Sequence, residues 1–106
     1  MVDLKKLQKR VYQNKVKKGF NVTDVPTEFS LLHEEVSEAF RAFRKKLPDL
    51  PEELADIAIY LLGLSEILGI DLEKEILRKI EINEKRVYKK INGTFVRIDN
   101  NEKKSS

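Results

Sequence analysis

The stretch that organises the chain reads LLHEEVSEAFRAFRKKLPDLPEELAD, residues 31–56. Glu34, Glu35 and Glu38 stand before a break marked by Pro48 and Pro51, and Glu53 and Asp56 stand after it. On a helix, positions three apart lie roughly 60° apart around the axis, so Glu35 and Glu38 share a face, as do Glu53 and Asp56. The first pair falls on one stripe with Leu31 and Ala42, the second on one with Tyr60, Gly63 and Ile67. Apolar and small neighbours on a charged stripe imply contact with another element. If the two stripes face each other, four carboxylates meet in a partly buried place and repel unless a cation sits among them. All-oxygen ligation suits magnesium, with manganese as its substitute; calcium fits less well because no carbonyl-supplying loop of its pattern is present. The plainer alternative is that these acids line a solvated helix face, glutamate being a good helix former.

Composition bounds the rest. At 106 residues the chain reads as a single domain over residues 1–98 with a polar, disordered tail over 99–106. Four Gly and three Pro in a sequence that is 37% charged favour helices. The absence of cysteine excludes disulfides and thiolate zinc sites and suits a reducing compartment. No apolar run reaches the ~18 residues of a membrane helix, and no signal-peptide core opens the chain. The expectation is a cytoplasmic protein without a membrane partner. The formal charge of +3 is uneven, with bases crowding both ends. That pattern serves solubility or a general polyanion surface.

Taken in order, the spacing predicts a first helix over about Val2–Lys18, with Leu4, Leu7, Val11 and Val16 as a narrow apolar stripe and Gly19 as its stop. A loop follows to Pro26; its Phe20 reads either as a core plug or as a base-stacking ring. Thr27 is the expected cap of a second helix over about Glu28–Lys46, whose core face is Phe29, Leu32, Val36, Phe40 and Phe43. His33, with no second histidine or cysteine, reads as a packed or surface residue and not as a ligand. The third helix, about Pro51–Leu68, is apolar all round after Asp56, which implies burial on several sides and a second subunit to complete it. Asp71 precedes a fourth helix over about Leu72–Lys89, with Ile76, Ile80 and Val87 as its core face and Lys79, Asn83 and Arg86 on the neighbouring stripe. Two cations and an amide in line could grip phosphate oxygens, although helix surfaces carry such trios by chance. Residues 87–98 read as a hairpin around Asn92-Gly93. The predicted fold is therefore all-α, a four-helix bundle-like chain completed by oligomerisation, with a short C-terminal β-hairpin.

The arrangement Glu34-Glu35-x-x-Glu38, spacer, Glu53-x-x-Asp56, with Lys79-x-x-x-Asn83-x-x-Arg86 downstream, resembles the signature of the MazG-like all-alpha nucleoside triphosphate pyrophosphohydrolases. The resemblance covers about Glu28 to Arg86. It implies magnesium held by Glu35, Glu38, Glu53 and Asp56, a nucleotide bound with the help of Lys79, Asn83 and Arg86, and a homodimer or homotetramer. Tryptophans that several members place near the base have no counterpart here, so the base pocket does not transfer. The implied reaction releases pyrophosphate and leaves the nucleoside monophosphate, with Glu38, and after it Glu34, as the base that takes the proton of the attacking water. Phosphoribosyl-ATP is the alternative substrate within the same superfamily. The rival from another class is a basic helical module for nucleic acid or protein. Matched acid pairs on apolar-flanked stripes argue against nucleic acid as the partner.

Overall fold

The computed structural model describes residues 1–98; the predicted tail over 99–106 lies outside the described residues. Four helices are followed by a hairpin: α1 Leu4–Lys17, α2 Val25–Arg44, α3 Leu50–Ile67, α4 Leu72–Lys85, β1 Val87–Ile91 and β2 Thr94–Ile98. The chain divides into two compact units, Met1–Glu73 and Lys74–Ser106.

In the first unit α3 packs against both α1 and α2. Leu62, Gly63, Leu64 and Ser65 are buried in succession, so α3 is enclosed on every side over this turn, as its all-round apolar sequence requires. Closeness to α1 depends on Gly63: a Cβ there would come within 3.3 Å of both Val11 Cγ1 and Lys15 Cδ. Beyond that turn α1 is fastened by polar contacts. The buried Gln8 donates from Nε2 to the Ile70 carbonyl at 2.6 Å and to Glu66 Oε1 at 3.1 Å, and its Oε1 accepts from the Leu72 amide. The connection from α3 to the start of α4 is thus clasped to α1.

Two predicted boundaries shift. α2 begins at Val25, not after Thr27, because Asp24 is the cap: its Oδ1 accepts from the Thr27 amide at 3.2 Å, and Pro26 sits in the first turn, where a missing N–H costs nothing. α4 ends at Lys85, not Lys89, because Val87, Tyr88 and Lys89 pair in the hairpin with Ile98, Arg97 and Val96. At its turn Asn92 (φ 51°) and Gly93 (φ 81°) both take the left-handed conformation that a two-residue connection demands.

The predicted core faces are also corrected. On α2 the residues that bury are Glu28, Ala39 and Ala42, whereas Phe40 and Phe43 are 58% and 65% exposed and Phe29 and Val36 are open as well. Two alanines let α3 approach closely, and the seam is lined by small and acidic side chains; the apolar stripe faces outward. In the second unit, described by itself, α4 buries no residue, so Ile76, Ile80 and Val87 do not form a core face, and every hairpin position is exposed.

Candidate metal centre and adjoining groove

Glu35 and Glu38 come from the middle of α2 and Glu53 from the first turns of α3. One carboxylate oxygen of each lies within 4.8 Å of the other two. Glu35 and Glu53 are half-buried, Glu38 exposed. Buried oxygens with no hydrogen-bond partner are Glu35 Oε2 and Glu53 Oε2, joined by Asp49 Oδ1. Polar atoms out of water are nearly always paired, and an unpaired one costs free energy comparable to a lost hydrogen bond. Orphaned anionic oxygens converging from two helices fit a hard divalent cation.

The electrostatics agree. Loss of solvent, then the charges of Glu38, Asp56 and Glu53, raise the Glu35 carboxyl above its ordinary value of 4.5. Desolvation, followed by Glu38, Asp49 and Asp56, does the same for Glu53. Asp56 is exposed and outside the close trio, although near enough to act on both. Glu34, on the same helix as the pair, is exposed. His33 is exposed and takes no part in the acidic group.

Asp49 is not among the acids that the sequence pairs, where the spacing points to Pro51 as the helix start. It caps α3 without a side-chain cap bond, so its carboxylate is left over for the acidic cluster. A capping acid a few residues before an acid pair is the signal that could have found it.

Tyr60 joins this cluster to a groove. Its hydroxyl proton is held more tightly than usual, first by burial and then by the charges of Glu35, Glu28, Asp56 and Glu34. The same residue lines a cavity of about 580 Å³ between α1 and α3, with Leu7, Val11, Lys15, Phe20 and Ile59 among the other walls. Phe20 is 56% exposed there, which overturns the core-plug reading.

Lys79, Asn83 and Arg86 belong to the second unit, described by itself. Arg86 Nη1 donates to Asn83 Oδ1 at 3.1 Å, so two of the three are linked, and Lys79 is exposed. Among the described residues no helix is long and apolar enough to cross a membrane.

No protein-family model matches the chain. A curated relative, a dATP/dGTP diphosphohydrolase of Salmonella phage PMBT28, is 33% identical over 71 residues. That match covers 59% of this chain, which spans 24% of the relative's length. A solved structure, the cyanophage S-2L MazG-like pyrophosphohydrolase bound to dGDP and three catalytic Mn2+ ions per active site, superposes with a TM-score of 0.72. It covers 93% of this chain and 100% of its own, at 24% sequence identity. Four helices followed by a hairpin thus share the fold of that MazG-like pyrophosphohydrolase.

Proposed function

We propose that this chain is a MazG-like enzyme, a divalent-metal-dependent pyrophosphohydrolase that cleaves a nucleoside triphosphate to the monophosphate and pyrophosphate. The observation that carries the reading is the convergence of Glu35, Glu38 and Glu53, with two buried oxygens lacking any partner. These three and Asp56 would hold magnesium or manganese, with Asp49 close by. When bound, the ion supplies neutralisation of the polyphosphate and a polarised water.

The remaining roles fall to side chains. Glu38, the most open of the trio, takes the proton of the attacking water on its carboxylate; Glu34 is the second choice. Lys79, Asn83 and Arg86 bind the phosphates, and the two cations stabilise the anionic leaving group. The groove beside Tyr60 offers the nucleoside an apolar wall. The phage relative is named for dATP and dGTP and the solved structure holds dGDP, which makes dATP and dGTP the first substrates to try. Exposed apolar faces on α2 and α3 support a homodimer or homotetramer as the working form.

The test is pyrophosphate release from a panel of nucleoside triphosphates with magnesium, with manganese and with excess chelator. Turnover of at least one nucleotide that stops in chelator is expected. Absence of release from every nucleotide with either metal defeats the proposal.

A further inference from the structure

Lys15, Asn21 and Glu28 form a second polar cluster, about two helical turns along α2 from the acidic trio. Glu28 is 1% exposed and both its oxygens are engaged: Oε1 accepts from Lys15 Nζ at 2.5 Å and Oε2 from Asn21 Nδ2 at 3.0 Å. The Lys15 side chain is itself only 12% exposed, and its ammonium stands 5.5 Å from the centre of the Tyr60 ring. Its stem lies over Gly63. One cation of α1 therefore meets α2 at Glu28 and α3 at Tyr60 and Gly63.

Both meeting points are in register with the acids. Glu28 stands about two turns before Glu35, and Tyr60 about two turns after Glu53, each on its partner's face of the helix. We propose that the Lys15–Glu28 ion pair is the positioning element of the acidic site: braced on α1, it sets the gap across which Glu35 and Glu38 of α2 face Glu53 of α3. Apolar contact alone tolerates sliding between helices. A carboxylate gripped from two directions, by an ammonium and an amide, admits one axial position for α2. Stability does not account for the pair, because apolar replacements of a buried ion pair are often neutral or stabilising. Asn21 extends the brace to the start of α2, its Oδ1 accepting from the Thr23 and Asp24 amides.

The inference rests on the reading of Glu35, Glu38 and Glu53 as metal ligands, and Mn2+ alone is the probe, followed through the electron paramagnetic resonance signal of the free ion. Lys15→Met with Glu28→Leu is expected to leave the melting temperature of the metal-free protein near that of the parent. Its Mn2+ dissociation constant should rise about tenfold, the lower end of the effect of removing a group behind a metal ligand. Lys15→Arg, which keeps the charge pair, should retain the parental Mn2+ affinity. Glu28→Gln cuts the brace by half, since Lys15 and Asn21 engage separate oxygens of Glu28 and the amide keeps only one acceptor while its NH2 can only donate, and should weaken Mn2+ by a smaller factor. Parental Mn2+ affinity in Glu28→Gln overturns the proposal, whether or not the double variant folds. Binding by Lys15→Arg as weak as that of the double variant also overturns it. If the parent protein binds no Mn2+, the reading of the acids as ligands fails instead.

Discussion

Replacing Glu35 by Gln should change the sign of its effect on stability when metal is added. Without metal, Glu35 contributes a charge that its neighbours oppose: Glu38 and Glu53 offer oxygens within 4.8 Å, and the Oε2 of Glu35 is buried with nothing to accept from. At that separation two like charges repel by about 1 kcal/mol in water-like surroundings, and the partial exposure of the site keeps the figure at this low end. A glutamine has the same shape, removes the charge and turns an NH2 toward two carboxylates that can accept from it. The metal-free variant is therefore expected to be more stable by about 1 kcal/mol, or at least about 4 °C in melting temperature for a domain of this size. Mn2+ at a hundred times its dissociation constant should add ~2.7 kcal/mol to the parent protein. The variant should gain little of this, because a ligand is missing. Differential scanning calorimetry in EDTA and in MnCl2 gives all four values. A variant less stable than the parent in EDTA, or one shifted by Mn2+ as much as the parent, refutes the reasoning.

The same acids set a pH dependence. With Glu35 and Glu53 raised above 4.5 in the folded chain, the native state holds their protons more tightly than the unfolded one. Their contribution is therefore fully present below that value and is lost as pH rises through the raised ones. Melting temperature without metal should fall over this window and, because protons compete with the ion, rise over it with Mn2+ present; parallel slopes would contradict the assignment. Asp56→Asn should weaken Mn2+ binding, by isothermal titration, less than Glu35→Gln does, since Asp56 is exposed and outside the trio. Gly63→Ala should destabilise by about 1 kcal/mol despite the better helix propensity of alanine. The new Cβ would meet a χ1-restricted Val11 and a Lys15 stem pinned at Glu28, so neither neighbour can yield; a raised melting temperature would show that one does. Sedimentation should show the parent as a dimer or tetramer and Phe43→Glu as a smaller species, because a charge placed on the exposed apolar stripe of α2 disfavours its coverage by another copy.

The convergence of Glu35, Glu38 and Glu53, though not the inclusion of Asp56, was legible in the sequence because its signal is local: carboxylates three apart on a helix share a face whatever the helix packs against. The core of α2 was not legible, for a physical reason. Hydrophobic periodicity reports which side of a helix avoids water, but not which neighbour removes it from water, and here Phe29, Val36, Phe40 and Phe43 are left open by this chain while Ala39 and Ala42 meet α3. The bundle seam is chosen by small side chains that permit close approach, which a search for large apolar residues overlooks. Glu28 was hidden in the same way. As a charged residue at a helix start it reads as a solvated first-turn acid, and only the arrival of Lys15 from α1 and Asn21 from the loop makes its burial affordable. Asp24 and Asp49 were missed through emphasis on Thr27 and Pro51, although each is the acid that precedes a proline-containing first turn. The common thread is that an acid's role is set by what stands opposite it. On α2 the same residue type serves as a buried anchor at 28, as part of a converging trio at 35 and 38, and as an open surface charge at 34. Spacing alone separates the trio from the surface charge; only packing separates the anchor from both.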